Sequence, residues 1–381
     1  MLCSGIRPVE LTYASVFKTC ALALALDEGR QVHTDCLKRG MDSDVYVRNT
    51  MIHFYGSCKK IVDARKVFDE MQWKSVVSWN SIISGFVRVS WFYEAVEYFM
   101  KMRGSGFEGD GTTMVMMLSV CAEIGNLTMG KCVHTQIIGM GLEVSCQLGT
   151  ALVNMYAKCG DLNLASLVFD MMDERNVWTW SAMILGLAQH GHARNALSLF
   201  KKMKDARIQP NYVTFLGVIC ACSHAGYVED GYRFFEEMKR VYGIKPRLIH
   251  YGAMVDVLGR AGCLSEAYNF ILNMHIKPDP TVWRTLLSAC NVHNGIDFDG
   301  VGEKVRRRLL ALEPKWSGNL VMLANKYADE CKWDDVAQLR KSMRVKGLKK
   351  ISAESCIELN GYTFRFLSGF DSRAACNSHE K

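Results

Sequence analysis

Trp79-Asn-Ser-Ile-Ile-Ser-Gly-Phe-Val87 returns 101 residues later as Trp180-Ser-Ala-Met-Ile-Leu-Gly-Leu-Ala188. In both copies the apolar side chains fall at i, i+3, i+4, i+7 and i+8, the one-sided stripe of an amphipathic helix. The copying extends well beyond this helix. Thr12, Thr113 and Thr214 stand 101 apart, as do Cys20, Cys121 and Cys222, and Gly29, Gly130 and Gly231. Val32-His33 returns as Val133-His134, and Phe68-Asp69 as Phe169-Asp170. A single closed core has no physical reason to repeat at fixed spacing, whereas a stack of similar units does, because each buries its apolar face against its neighbours. The chain is therefore expected to be an all-α solenoid of stacked helical hairpins.

Each block of 101 divides into segments of 35, 31 and 35 residues, giving 10–44, 45–75 and 76–110, then 111–145, 146–176 and 177–211, then 212–247 and 248–279. A second helix per segment shows in Ala95, Phe99 and Met102, copied by Ala196, Phe200 and Met203. Gly160, Gly191, Gly226 and Gly262 fall between the paired helices, where a tight turn asks for positive φ. Two more hairpin-like stretches occupy 280–314 and 315–348. Ile357–Leu367 alternates around Asn360-Gly361 and reads as a short β-hairpin-like tail; 372–381 reads as a frayed end.

Composition narrows the function classes. Six prolines and 49% apolar residues in 381 favour helices over disorder. No apolar run reaches the length of a membrane span. Fifteen cysteines recur partly at repeat spacing inside helical patterns, which fits buried thiols in a reducing compartment better than a disulfide framework. The net charge of +7 is uneven: residues 1–299 carry 30 Lys+Arg against 29 Asp+Glu, and residues 300–350 carry 13 against 6. An array so nearly neutral does not grip polyanions by charge alone, so any binding rests on placed contacts. Met1–Pro8 resembles Met203–Pro210, two blocks on. Residues 1–9 are thus expected to be the end of a repeat whose first helix lies upstream, in a longer protein whose leader is not part of this chain.

Asn154-Met-Tyr-Ala-Lys-Cys-Gly160, Val67-Phe-Asp-Glu-Met71, Val77-Ser-Trp-Asn80 and His250–Gly262 resemble the stock phrases of the pentatricopeptide repeat family, in the plant subfamily where long, short and standard repeats alternate. Trp283–Cys290 with Leu312-Glu-Pro314 is similar to the E-type extension that follows the repeats in RNA-editing factors. Residues 351–370 resemble the start of a further extension. The uniform 34-residue period of tetratricopeptide repeats does not fit 35/31/35. The resemblance covers nearly the whole chain and implies a right-handed α-solenoid that binds single-stranded RNA in a mitochondrion or chloroplast.

It further implies that the fifth and last residues of a repeat read one base edge together. The pairs are Asn49 with Ser75, Asn80 with Asp110, Thr150 with Asn176, and Ser181 with Asn211. The implied bases are C, U, A and A, read 5′ to 3′ in chain order. Val77 and Trp178 would contact the faces of successive bases. All eight pair residues are small and hydrogen-bonding, although a polar residue near a helix start is also an ordinary capping choice. Ala14, Val115 and Leu216 hold the fifth position of the long repeats and direct no base contact, nor do Gly252 and Asp279 form a readable pair. His33 and His134 read as packing residues, the Trp and Met stripes as core, and Arg306–Arg308 as a solvated face.

Deaminase chemistry of the kind some relatives carry needs His-x-Glu and Cys-x-x-Cys to hold and work a zinc ion. Neither spacing occurs in this sequence, nor does a Gly-rich phosphate loop or a Gly-x-Ser-x-Gly elbow. The expectation is a non-catalytic binder with no cofactor, no metal and no small-molecule substrate. Its editing deaminase or editing-complex protein would be supplied in trans and engaged through 280–370. Transcript stabilisation, or a protein–protein scaffold, are the alternative roles.

Overall fold

The structure is a computed structural model. It describes residues 8–293, 300–314, 316–329 and 331–348, together with the backbone of 354–359 and 362–367. Among these residues there are twenty helices and two strands. Each segment read from the sequence opens on the first residue of a helix: Glu10, Val45, Val76, Gly111, Cys146, Val177, Tyr212 and Leu248. The chain divides into two compact units, Met1–His190 and Gly191–Lys381.

In the first unit, each first helix packs against the first helices of neighbouring hairpins. Val45–Ser57 lies between Glu10–Ala23 and Val76–Arg88, and Cys146–Lys158 lies between Gly111–Ile124 and Val177–Gln189. Second helices such as Ile61–Asp69 and Leu162–Met171 cover their own partners. Phe54, Ile82, Ile83 and Phe86 are wholly buried in this stack, each worth about 1.5–3 kcal/mol of transfer free energy. Trp79 and Trp180 pack edge-on against Phe68 and Phe169, with ring centroids 4.8 and 5.1 Å apart.

Small residues set how closely the first helices approach. Gly56 faces Gly85, and their repeat equivalents Ala157 and Gly186 meet so tightly that a Cβ on Gly186 would lie 2.5 Å from Ala157 Cβ. His33 and His134 are packing residues, each hydrogen-bonded through Nδ1 to a tyrosine hydroxyl (Tyr55 and Tyr156) at 2.8 Å. The described cysteines are free thiols. Burial pushes Cys121 and Cys222 up to about 12, as expected of inert core thiols.

The second unit continues with Tyr212–Ala225 paired to Val228–Arg240, and Leu248–Arg260 paired to Leu264–Leu272. Pro280–Val292 then packs on Val301–Leu312, with Trp283, Leu286 and Leu287 meeting Val305 and Leu309. Ser317–Asp329 pairs with Trp333–Val345. Glu354–Leu359 and Tyr362–Leu367 run antiparallel, with Leu359 opposite Tyr362; the Asn360-Gly361 turn and residues 1–7, 351–353 and 368–381 lie outside the described residues. Among the described residues no helix is long and apolar enough to cross a membrane.

The turns between paired helices show what repetition leaves free. Gly160 and Gly191 are left-handed, at φ 86° and 80°. One block earlier, the same places hold Lys59 and Ser90, at φ 57° and 61°. These L-residues adopt the same turn at a steric cost of about 1–2 kcal/mol each.

Candidate nucleic-acid interface

The last residue of each readable segment is the N-cap of the next first helix. Ser75, Asp110, Asn176 and Asn211 precede Val76–Arg88, Gly111–Ile124, Val177–Gln189 and Tyr212–Ala225. Each side chain accepts from the backbone N–H three residues on, at 3.3, 2.9, 3.0 and 2.9 Å respectively. Capping alone accounts for Ser, Asp and Asn here, since short side-chain acceptors satisfy a helix's orphan donors. The third helical residue, Ser78, Thr113, Thr179 or Thr214, is a hydroxyl with no solvent exposure. In three of the four cases the cap's own N–H donates to this hydroxyl, at 3.1 Å (Ser75), 3.0 Å (Asp110) and 3.0 Å (Asn211). The repeat spacing marks Thr113 and Thr214 without giving them a role, and the cap-x-x-Ser/Thr spacing is the signal that would supply it.

Where fifth and last residues come together, the hydroxyl joins them. Asn80 Nδ2 donates to Asp110 Oδ1 at 3.0 Å, and Thr113 Oγ1 donates to Asn80 Oδ1 at 2.6 Å. The acceptor-only carboxylate fixes the amide's orientation. Burial pushes the Asp110 carboxyl up, but the Thr113 N–H, the Asn80 amide and the Thr113 hydroxyl outweigh it and hold it below its ordinary value. Asn80 thus uses one of its two donors and one of its two lone pairs, and stays half-buried with solvent access. Thr179 likewise lies between Thr150 and Asn176, although among the described residues no direct hydrogen bond joins that pair. Its hydroxyl lies 2.7 Å from Thr150 Oγ1 and 3.2 Å from Asn176 Oδ1. Thr150 is half-buried and Asn176 exposed.

The other two pairs differ. Asn49 is buried, and its Oδ1 has no partner among the described residues; no hydrogen bond there joins it to Ser75, which is occupied with Ser78. Ser181 is wholly buried, its hydroxyl donating to Val177 O at 2.7 Å. It belongs to the first unit, and Asn211 to the second.

Beside the linked pairs stand large exposed apolar side chains at the second helical position: Val77 at 57% exposure and Trp178 at 49%. Apolar groups left in water on the first turn of a first helix are not core residues. Tyr46 holds the same place in Val45–Ser57 and was not singled out from sequence. Lys18 donates to its hydroxyl at 2.6 Å and sits 4.9 Å from its ring centroid. Of the basic run, Arg307 and Arg308 are exposed, whereas the Arg306 side chain is only 13% exposed; Arg306 and Arg307 both pair with Glu303.

Residues 46–76, 77–107, 150–177, 213–241 and 249–277 match the PPR repeat model, and 175–224 match the PPR repeat family model. Residues 299–358 match the E motif; none of these is an enzyme family. A pentatricopeptide repeat-containing protein of Arabidopsis thaliana is 55% identical over 371 residues, covering 97% of this chain and 74% of the relative. Two others from that plant, one named mitochondrial and one chloroplastic/mitochondrial, are each 40% identical. They cover 98% and 95% of this chain, which spans 58% of each. The crystal structure of the pentatricopeptide repeat protein PPR10 in complex with an 18-nt psaJ RNA element superposes with a TM-score of 0.51 at 16% identity, covering 92% of this chain and 66% of that one. Both the alternating helical hairpins and these relatives place the chain in the pentatricopeptide repeat family.

Proposed function

We propose that this chain binds single-stranded RNA in an organelle, selectively for sequence, and addresses a C-to-U editing activity supplied in trans. The observation that carries the reading is the Asn80–Asp110–Thr113 network. It holds one amide in a fixed orientation with one donor and one acceptor unspent, next to exposed Val77. One donor and one acceptor on one amide complement the Watson–Crick edge of uracil, which offers an N–H beside a carbonyl. At the next pair Thr179 lies between Thr150 and Asn176, and Thr150's own hydrogen is donated to Cys146 O at 2.7 Å. That leaves the exposed Asn176 amide to meet a base edge, next to Trp178, whose face offers a base about 1–3 kcal/mol of stacking. The editing role is supported by the E motif match at 299–358, and the organelle by the names of relatives. A deaminase or editing-complex protein would engage the chain through 280–370.

A gel-shift titration in rising salt tests the reading, using RNA with the register C-U-x-A-A against a scrambled RNA. The register RNA is expected to bind more tightly, and Asn80→Ala with Thr150→Ala to abolish the preference. Trp178→Ala is expected to weaken both RNAs together. Equal affinity for scrambled RNA, or none for either, would favour a protein scaffold instead.

A further inference from the structure

An open groove of about 460 Å³ lies within the first unit, between the second helices Phe92–Gly104 and Leu127–Gly139. The chain carries its own control for it, because the same positions recur 101 residues on, within the second unit. There Phe215 packs against Phe200 and Tyr242, with ring centroids 5.7 and 5.3 Å apart. Lys204 lies 4.7 Å from the Phe200 ring centroid and pairs with Glu237 at 3.2 Å. In the first unit Phe99 matches Phe200, but Met114 stands for Phe215, Gly141 for Tyr242 and Gln136 for Glu237. Arg103 takes the place of Lys204, is exposed, and has no carboxylate partner among the described residues. Compared with its own copy, this place lacks an aromatic ring and a carboxylate.

The lining suits a ligand that brings both. Phe107, Met114 and Met140 give it an apolar wall, and methionines adapt to an aromatic edge with favourable sulfur contacts. Gly106 and Gly139 leave it open, since a Cβ on either meets nothing within 4 Å, where the copy carries Arg207 and Arg240. At the rim Arg103 offers a planar fork that fits a carboxylate along two N–H bonds, and the Gln136 amide lines the same groove. Glu108 lines it too and would repel a second negative charge, so a monoanion fits and a dianion does not.

We propose that this groove binds a small aromatic monocarboxylate, its ring among Phe107, Met114 and Met140 and its carboxylate on Arg103. The full chain is titrated calorimetrically with 3-phenylpropionate, which is expected to occupy one saturable site. The uncharged 3-phenylpropan-1-ol should bind roughly ten- to a hundred-fold more weakly, the usual worth of hydrogen bonds to a charged group. Arg103→Gln, at an exposed position, should cost the acid the same factor and leave the alcohol unchanged. Gln136→Glu gives Arg103 the internal partner that Lys204 has, and should weaken the acid as well. Met114→Phe supplies the ring that the copy holds at Phe215, and should close the site to acid and alcohol alike. Thermal melts of the unliganded variants show that each is folded. No saturable binding up to about 10 mM acid overturns the proposal. So does equal affinity for acid and alcohol, or an affinity for the acid that survives Arg103→Gln or Met114→Phe. Acetyl-Gly-Gly-Phe carries the same ring and carboxylate at the end of a polypeptide. Tighter binding by this peptide than by 3-phenylpropionate would assign the groove to a protein chain end and overturn the small-molecule reading.

Discussion

Lys59→Gly is expected to stabilise the protein although it removes a long side chain. Lys59 is exposed, and its backbone N–H donates to Gly56 O at 3.1 Å, a bond that glycine keeps. What changes is the left-handed backbone, φ 57°, where an L-residue costs about 1–2 kcal/mol. Glycine's added freedom in the unfolded chain offsets about 0.4–1 kcal/mol of the gain, leaving a net of about 0.5–1 kcal/mol. Ser90→Gly, at φ 61° in the next hairpin, follows the same sum. The two sites share no partner, so the double variant should gain about 1–2 kcal/mol. The repeat supplies its own reverse experiment. Gly160 already occupies the equivalent turn at φ 86°, and a Cβ there would meet only His190 Cε1 at 3.4 Å, an ordinary contact. Gly160→Lys should therefore destabilise through the backbone alone. Urea unfolding followed by far-ultraviolet circular dichroism reads all four variants, as midpoint shifts at constant slope. A lower midpoint for Lys59→Gly, or an unchanged one for Gly160→Lys, would refute the steric argument.

Other substitutions probe packing, capping and charge. Gly186→Ala drives a Cβ to 2.5 Å from Ala157 Cβ, both fixed to backbone, and should cost about 1–3 kcal/mol by forcing two first helices apart. Gly252→Ala meets nothing within 4 Å and should gain about 0.5–1 kcal/mol from helix propensity; thermal melts that rank them the other way would discredit the packing account. Asp110→Ala should lose about 1 kcal/mol of capping, whereas Asn80→Ala, which leaves the cap in place, should lose less stability while still losing base preference. A combined melting and RNA-binding measurement separates the two roles.

Acid should weaken the fold. His33, His53, His134 and His250 are all held below the ordinary histidine value, in each case chiefly by burial. At His250 the hydrogen bonds dictate the neutral form: Nδ1 accepts from the Arg247 N–H at 2.9 Å, so Nε2 carries the proton and donates to Tyr212 O. With folded-state values depressed, this stability is full above the unfolded value of about 6.5 and is lost as pH falls through the folded ones. A melting temperature unchanged between about pH 7.5 and about pH 5.5 would contradict this.

Much of the architecture was legible in the chain itself. Two copied stripes such as Trp79–Val87 and Trp180–Ala188 fix hairpin period and helix starts, because apolar spacing and repetition are properties of order along a chain. The family resemblance, laid on that order, implied the candidate pairs. The chain order also offered the capping role of Asp110 and Asn176, but not that Thr113 and Thr179 bridge them to Asn80 and Thr150. Those links cross between successive hairpins, and only their packing brings the side chains into range. Burial likewise separates Asn80 and Thr150, which keep access to solvent, from Asn49 and Ser181, which occupy equivalent places and do not. Depth below the surface depends on which neighbours close over a residue. The contacts of Arg284 needed folding too, since Glu313 and Trp316 lie some 30 residues beyond it and reach it only when their helices pack.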